Sequence, residues 1–200
     1  MATQDERPRP GLRERKKAST RAAIQRHALR LIREQGYEAT TISQIAESAD
    51  ISESTFFRYF PTKEDLVRWD EYDPLIVAAI RAQPAGAGPI AALRGAFRDV
   101  LSPLSSEERA DLRQRIALML EIPPLRAMGA EQLSGPLRPL VAALAERAGR
   151  PPDDLAMRTL VGAAIGAIVV AMLEAMDKPQ ADLVEFINDA LVWLEAGLPL

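Results

Sequence analysis

The stretch that constrains the fold most is residues 40–63, where capping residues and apolar residues recur at the spacing of short helices. Thr41 supplies a side-chain oxygen that can cap a helix running to Ala49, and Ser52 can cap a second helix running to about Phe60. Little chain separates the two helices. The stretch therefore predicts a pair of short helices joined by a tight turn.

The rest of the chain also favours helices. Ala, Leu, Arg and Glu are abundant and alternating β-branched or aromatic residues are scarce, which predicts an all-α fold of about nine helices. The first helix is expected at 13–35, because Gly36 supplies a left-handed stop. The helices beyond residue 62 are expected at about 63–81 (bent or interrupted at Pro74), 90–101, 106–121, 125–148 (broken at Gly135-Pro136), 153–176 and 180–195.

Charge is divided unevenly along the chain. Residues 1–63 contain twelve Lys or Arg and eight Asp or Glu, a net charge of +4, whereas the remaining residues carry a net charge of −7. The excess is densest from Arg7 to Arg21, and residues 1–12 are expected to form a disordered basic arm. Such a region is either a binding surface for a polyanion or a solvated tail.

The residues that enzymes commonly use are scarce. The chain has no cysteine, which excludes disulfides and thiolate metal sites, and its one histidine is His27 on the first predicted helix. Neither a glycine-rich phosphate loop, nor metal-ligand spacing of His and Glu, nor a Gly-x-Ser-x-Gly motif occurs. We therefore expect no catalytic residues, no metal and no cofactor.

A membrane location is not expected either. The start of the sequence is polar and does not resemble a signal peptide, which favours a cytoplasmic protein. The longest uncharged apolar run lies between Arg158 and Glu174, and its 15 residues are fewer than the ~20 of a typical span. We predict that this run is a buried core helix.

The paired short helices have the side chains that DNA recognition requires: small polar groups for the major groove and donors on the flanks for phosphates. The candidates for base contacts are Ser43, Glu53, Ser54 and Thr55. The candidates for backbone contacts are Thr41, Phe57, Arg58, Tyr59, Lys63, Lys16 and Lys17, with Arg13, Arg15 and Arg21 extending the basic region. One motif buries little surface, so a second copy about one helical turn (~34 Å) away is expected.

Residues 18–66 resemble the DNA-binding domain of TetR-family transcriptional regulators. That pattern has a Thr-led second helix, an Ile-Ala pair, a short turn, a Ser/Thr-aromatic-x-x-Phe run and a Ser/Thr-Lys-Glu-x-Leu start of the next helix. The matching residues here are Thr41-Ile42, Ile45-Ala46, Ser52, Thr55-Phe56-Phe57-Arg58-Tyr59-Phe60 and Thr62-Lys63-Glu64-Asp65-Leu66. The resemblance covers about a quarter of the chain.

Two positions depart from the family pattern. Asp50 stands in the turn where the family usually has Gly, and Asp tolerates a left-handed backbone better than most residues. Phe57 stands where a tyrosine is common, so it is expected to offer apolar contact with a sugar or a thymine methyl in place of a hydroxyl.

The resemblance implies a helix-turn-helix domain at 13–62 and, at 63–200, a helical domain that binds a small molecule and forms a homodimer. The order of residues from Thr55 to Pro74 resembles a branch that binds acyl-CoA-like ligands. The residues able to line an apolar cavity, or simply to fill a helical core, are Ile76, Ile80, Phe97, Leu101, Leu118, Met119, Ile122, Met128, Ile165 and Val169. Arg94, Arg98, Arg113 and Arg115 are either partners for a phosphate-bearing ligand or solvated surface charges.

The last two predicted helices are the expected dimer seam. Their small residues allow helices to approach closely, and their large apolar residues supply area to bury. The candidate interface residues are Gly162, Gly166, Met172, Phe186, Leu191 and Trp193, with burial inside one chain as the alternative.

Together these features predict a DNA-binding transcriptional regulator, most simply a repressor that a small apolar or acyl-type effector releases from a palindromic operator. The alternatives are a ligand-dependent activator of the same fold and a helical adaptor that does not bind DNA.

Overall fold

The computed structural model describes residues 11–122, 137–151, 153–176, 178 and 182–199. The helices within these residues are α1 (Leu12–Gln35), α2 (Ile42–Ser48), α3 (Glu53–Tyr59), α4 (Lys63–Arg68), α5 (Asp73–Ala82), α6 (Pro89–Leu101), α7 (Ser106–Glu121), α8 (Leu137–Ala148), α9 (Leu155–Met176) and α10 (Leu183–Glu195). The prediction of an all-α fold is confirmed. The chain divides into a first unit, Met1–Glu71, and a second unit, Tyr72–Leu200.

Side-chain caps start the three short helices of the first unit. Thr41 accepts a hydrogen bond from the backbone N–H of Gln44, whose side chain accepts one from the Thr41 N–H in return. Ser52 caps α3 and Thr62 caps α4 in the same way, each accepting from the third residue along. Such caps each contribute about 1 kcal/mol of stability. This contribution matters because isolated helices of six or seven residues are not stable in water.

The turn between α2 and α3 contains Asp50, whose φ of 53° lies in the left-handed region. This confirms the expectation that Asp can take the place of the usual glycine there. The turn allows the Ile51 N–H to donate to the Ala46 carbonyl at 2.9 Å, and this hydrogen bond caps the C-terminal end of α2.

The core of the first unit lies among its four helices. Ile24, Ile45, Phe56, Phe60 and Leu66 are at most 1% exposed. A buried polar contact adds direction to this packing, because the Gln25 amide on α1 donates to the carbonyls of Leu66 and Trp69, both at 2.7 Å. These two bonds fix the end of α4 against α1.

The second unit is built around α6, α9 and α10, and α5, α7 and α8 complete it. On α9 the buried residues recur every three or four positions, which is the repeat of a helix that packs along one face. They are Met157, Val161, Ala164, Ile168, Ala171 and Ala175.

Two predictions about boundaries differ from the structure. The single helix expected at 63–81 is two helices, because α4 ends at Arg68 and α5 begins at Asp73 with Pro74 in its first turn, where the missing N–H costs nothing. The first unit consequently extends to Glu71 and includes α4, beyond the domain boundary expected after residue 62. Of the helix expected at 125–148, the part from Leu137 is present, and residues 123–136 lie outside the described residues, as do residues 1–10 of the expected arm.

Candidate nucleic-acid interface

The second helix of the motif, α3, has one buried face and one open face. Phe56 and Phe60 are fully buried, whereas the neighbouring Phe57 is 48% exposed. The Phe57 ring meets the Phe56 ring edge-on, with centroids 5.6 Å apart. An exposed aromatic ring that packs on a buried one offers a partner apolar surface at a defined place on the helix.

The predicted base-reading residues lie on the surface, and hydroxyl contacts order those of α3. Ser43 on α2 is exposed, as are Glu53 and Ser54 on α3. The Ser52 hydroxyl lies 2.9 Å from that of Ser54 and 3.0 Å from that of Thr55, which is half-buried. The α3 hydroxyls are therefore held at the start of the helix before any partner binds, and hydroxyls of this kind can donate or accept.

The predicted backbone contacts lie on both sides of α3. Thr41 is exposed at the start of α2, and Arg58 is exposed near the end of α3. The Arg58 guanidinium carbon lies 5.5 Å from the centroid of the half-buried Tyr59 ring. On α1, Lys16 and Lys17 are exposed and line one groove with Arg58 and Tyr59.

Lys63 has a more specific position than the sequence suggests. Its ammonium donates to the carbonyls of Tyr37 (2.8 Å) and Thr40 (3.0 Å) and lies 4.0 Å from the Tyr37 ring centroid. Two of its three N–H donors are thus used inside the first unit, which leaves one for a phosphate. Lys63 links the start of α4 to the loop before α2, so it also positions Thr41 indirectly.

The Tyr37 hydroxyl and Glu64 extend this link. The hydroxyl donates to Glu64 Oε1 at 2.9 Å. Burial, followed by this hydrogen bond and the nearby carboxylates, raises the pKa of Tyr37 well above its usual value, so the phenol stays neutral. For Glu64, burial acts to raise the pKa, but hydrogen bonds from its own backbone N–H and from Tyr37, together with the Lys63 charge, outweigh it and lower the pKa.

The expectation that Arg21 extends the basic surface is corrected by its packing. Its guanidinium carbon lies 4.7 Å from the Phe60 ring centroid and 5.0 Å from that of Trp69, and its Nε is buried without a hydrogen-bond partner. Burial lowers the pKa of Arg21, an effect that Asp65 partly offsets, although a guanidinium remains charged in proteins. Arg21 therefore packs α1 against the rings of the two residues that end α3 and α4.

One polar cluster gives no recognisable signal in the sequence. The Ser48 hydroxyl, at the end of α2, lies 2.9 Å from His27 Nδ1 and accepts a hydrogen bond from Arg30 at 2.8 Å. The His27 side chain thus has a structural role in joining α1 to α2. These three residues meet only because α2 packs on α1, which the sequence pattern does not reveal.

The predicted cavity residues of the second unit mostly fill its core. Ile76, Ile80, Phe97 and Leu101 are 7% exposed or less, and Leu118, Met119, Ile122 and Ile165 are half-buried. Val169 is exposed, and Met128 lies outside the described residues. Within the described part of the unit, Leu101 borders a cleft of about 520 Å³ between α7 and the start of α10, and Phe97 borders a neighbouring one of about 580 Å³.

The second apolar face of α9 is left uncovered by the residues of its own unit that the structure describes. Gly162 and Gly166 are exposed, and a Cβ built on either would meet nothing within 4 Å. Along the same helix the large exposed apolar residues are Leu155, Val169, Val170 and Leu173. We call Gly162, Gly166 and these four residues the open stripe of α9, and a contiguous exposed apolar surface of this kind is typical of an interaction site.

The other predicted interface residues divide three ways. Trp193 on α10 is 59% exposed, while Met172 and Phe186 are half-buried and pack on their own core. Leu191 is fully buried in its own unit, so the assignment of Leu191 to an interface is corrected: it has no surface to offer a partner.

Among the described residues, α9 alone is long and apolar enough to cross a membrane by length and composition, with a mean hydropathy of 2.1. We predicted a buried core helix here, and one side of α9 is buried in the core. Its other apolar side is the exposed open stripe.

Comparisons with known proteins match both units. Residues 24–68 match the profile of bacterial regulatory proteins of the tetR family, and residues 87–199 match the MftR C-terminal domain of the same family. TcmR of Streptomyces glaucescens is 45% identical over 101 residues, which are 50% of this chain and 45% of TcmR. MftR of Mycobacterium tuberculosis is 22% identical over 187 residues, which are 92% of this chain and 93% of MftR.

Solved structures share the fold over most of the chain. FadR of Thermus thermophilus, a TetR-family repressor in complex with lauroyl-CoA, is 27% identical with a TM-score of 0.59, covering 90% of this chain and 95% of FadR. FadR of Bacillus subtilis in complex with stearoyl-CoA is 24% identical with a TM-score of 0.60, covering 89% and 99%, and it bears on the fold alone. With profiles matched in both units, this chain belongs to the TetR family of bacterial transcriptional regulators.

Proposed function

We propose that this regulator is a repressor that binds a palindromic DNA operator as a homodimer and leaves it when a small apolar or acyl-type effector binds. The observation that carries the proposal is α3, which presents Glu53, Ser54, Phe57 and Arg58 to solvent while two aromatic rings anchor its other face. A short helix with small polar residues at its start fits the major groove. The cations and Tyr59 on its flank are suited to phosphates.

The homodimer is proposed from the open stripe of α9. Two such stripes facing each other would cover apolar area that a lone protomer leaves in water, and the glycines would allow the helices to approach closely. A two-fold pair also supplies the second copy of α3 that two half-sites about one helical turn (~34 Å) apart require. In this proposal the first unit binds DNA, and the second unit binds the effector and dimerises.

The effector class is proposed from the second unit. Its core is lined almost entirely with aliphatic side chains, and the FadR relative at 27% identity was solved with an acyl-CoA. An apolar ligand that inserts among these helices would favour a conformer in which the two α3 helices are spaced differently. Operator affinity then falls by the ratio of effector affinities for the two conformers.

Two alternatives use the same observations. A ligand-dependent activator would bind its operator more tightly with effector than without it, which reverses the sign of the coupling. A helical adaptor would use its acidic second unit for protein contacts and would bind duplex DNA weakly at any salt concentration. No described feature favours catalysis. If DNA is its partner, the protein acts in the compartment that contains the chromosome.

The test is selection of duplexes from a randomised library by the purified full chain, followed by affinity measurements at two salt concentrations. We expect a palindromic consensus and an affinity that falls steeply with salt. Addition of lauroyl-CoA, with free coenzyme A and laurate as controls, should weaken binding if the effector is acyl-CoA-like. Absence of any consensus would refute the proposed function.

A further inference from the structure

The cleft of about 520 Å³ in the second unit lies between α7 and the start of α10, and we call it the α7–α10 cleft. Its volume falls within the roughly 300–1,000 Å³ that is typical of small-molecule sites. From α7 it is lined by Ser106, Arg109, Ala110 and Arg113, whose spacing places them on one face of that helix. The cleft therefore has a continuous wall on which polar and charged side chains can meet one ligand.

The deeper lining of the cleft is apolar. Leu101, Leu112 and Leu183 border it and belong to the core of the second unit, with exposed fractions of 8% or less. Leu104 and Val184 are half-buried and border it as well. Contact with such side chains removes apolar ligand surface from water, so this lining favours a ligand with an apolar body.

The charged lining of the cleft has a positive balance. Arg109 and Arg113 line it, and Asp182 is the one carboxylate among the described residues that do so. A guanidinium stays charged and presents its N–H donors in a planar fork that matches a carboxylate or a phosphate. The combination of two arginines with an apolar lining suits a ligand that joins an anionic head to an apolar body.

Arg109 is already held in position at the edge of the cleft. Its Nε donates to the Leu104 carbonyl at 3.0 Å, and its terminal nitrogens donate to the Ser102 carbonyl at 2.6 Å and to Asp182 at 3.5 Å. These contacts use three of the five N–H donors of a guanidinium, so two remain for a ligand. Because the carbonyls of the turn before α7 order the side chain in advance, binding an anion requires little further ordering.

The contact with Asp182 is the one that an anion would replace. It is the longest of the three, and the two side chains are 33% and 45% exposed, a setting in which an ion pair contributes little. Asp182 also caps α10, because it accepts a hydrogen bond from the Val184 N–H at 2.8 Å. An anionic head can therefore bind Arg109 in place of Asp182 while α10 keeps its cap.

The neighbouring cleft of about 580 Å³, between α6 and α10, differs in charge. The charged residues that line it are three carboxylates and two arginines, namely Asp182, Glu185, Asp189, Arg94 and Arg98. Arg94 already donates to Asn188 at 3.2 Å and to Glu195 at 2.9 Å. An anion is consequently favoured in the α7–α10 cleft and disfavoured in its neighbour.

We infer that the α7–α10 cleft is a binding site for an amphipathic anion, a molecule with a carboxylate or phosphate head on an apolar body. The head pairs with Arg109 and Arg113, and the body lies against Leu101, Leu112 and Leu183. This site is separate from the aliphatic interior in which the effector is proposed to insert. The inference goes beyond the proposed function, because binding in the cleft requires neither DNA nor a second copy of the chain.

The test is isothermal titration calorimetry of the full chain with a set of octyl compounds. Octanoate and octyl phosphate carry the two kinds of anionic head, whereas octanol and octyltrimethylammonium carry a neutral and a cationic one. The proteins are the wild type, Ala110→Glu and, as the matched control, Ala110→Gln. Ala110 is exposed, and Glu and Gln have nearly the same size and helix propensity, so the two variants differ in charge alone.

We expect octanoate, octyl phosphate or both to bind wild type and Ala110→Gln with affinities within about threefold of each other. Ala110→Glu should bind the same anion at least about 10-fold more weakly, because the new carboxylate pairs with the arginines and repels the head. Arg109→Gln should show a loss of similar size. The ratio of the two anion affinities then identifies whether the head is a carboxylate or a phosphate.

Three results would overturn the inference. Equal anion affinities of Ala110→Glu and Ala110→Gln would place the ligand elsewhere in the chain, the aliphatic interior included. Octanol or octyltrimethylammonium binding as tightly as the anions would show that the arginines do not select the head, and no binding of either anion to wild type at about 1 mM would show that there is no site.

Two further points keep the outcome clear. If Ala110→Glu does not fold by circular dichroism, Arg113→Gln takes its place, with Arg98→Gln, at an exposed position of α6, as the control. A failed operator selection would contradict the proposed function but would leave these titrations unaffected, since they contain no DNA.

Discussion

The two units of this chain are stabilised in different ways. In the first unit, short helices are set by individual polar contacts: caps at Thr41, Ser52 and Thr62, and the Lys63 ammonium on two carbonyls. In the second unit, longer helices are held by an aliphatic core that extends through all of them. Directional contacts fix the positions of individual side chains in the first unit, whereas the core of the second unit depends on the close packing of many apolar side chains.

The largest effect on stability is expected on α3, where Phe56 is buried and its neighbour Phe57 is exposed. Phe56→Ala removes a fully buried ring and should lower the free energy of unfolding of the first unit by about 3–5 kcal/mol, abolishing DNA binding. Phe57→Ala is the matched control, since its ring is 48% exposed and its loss should change stability by no more than about 1 kcal/mol. Denaturant titration followed by circular dichroism measures both. Equal losses of stability would contradict the division of α3 into two faces.

A second prediction tests whether the open stripe of α9 in the second unit forms the dimer interface. Val170→Glu places a carboxylate on the open stripe of α9 and should raise the dimer dissociation constant at least ~100-fold, about 2.7 kcal/mol, because pairing would bury a charge. Sedimentation velocity at a series of concentrations gives the constant. Glu185→Gln, at an exposed position of α10, is the control and should leave it unchanged. A variant that remains as dimeric as wild type would remove the basis for the proposed seam.

A smaller effect would sharpen the account of the first unit. Lys63→Met removes two hydrogen bonds to carbonyls and should lower the free energy of unfolding by about 1–3 kcal/mol. Lys16→Met, at an exposed lysine of α1, should leave stability within about 0.5 kcal/mol of wild type. Both are measured by thermal and chemical denaturation. If the two variants are equally stable, the Lys63 ammonium does not hold the loop before α2.

The smallest expected effect is at the turn. Asp50→Gly relieves a left-handed backbone that costs an L-residue about 1–2 kcal/mol, but glycine loses more entropy on folding, so a net gain of up to about 1 kcal/mol is expected. Asp50→Ala keeps the strain and loses the polar side chain, so it should be less stable than wild type. Differential scanning calorimetry resolves both changes. A less stable glycine variant would show that the Asp50 side chain contributes more than its backbone costs.

Much of the first unit could be predicted from local sequence. The caps at Thr41 and Ser52 and the left-handed Asp50 follow from interactions within a few residues, and the structure has all of them. Contacts between distant residues could not be predicted. Lys63 lies 26 residues from Tyr37, and the two rings that enclose Arg21 belong to the residues that follow α3 and α4. The partners of Lys63 and Arg21 therefore depend on how the helices pack.

The second unit shows the opposite limit. Its apolar residues are easy to recognise in the sequence, but an apolar residue can fill the core, line a cavity or face another copy. Leu191 and Trp193 are two residues apart on α10, yet one is fully buried and the other is 59% exposed. The helical phase that separates them is set by the contact of α10 with α9, which local sequence does not specify.

Because α9 is apolar on two sides, the stability of this regulator should depend on its concentration in the cell. If a partner helix covers the open stripe, folding and assembly share one equilibrium, and the melting temperature should rise with protein concentration. A scarce regulator would then spend part of its time as single chains that chaperones and proteases recognise. Expression level would thus govern not only how many molecules exist but how long each one survives.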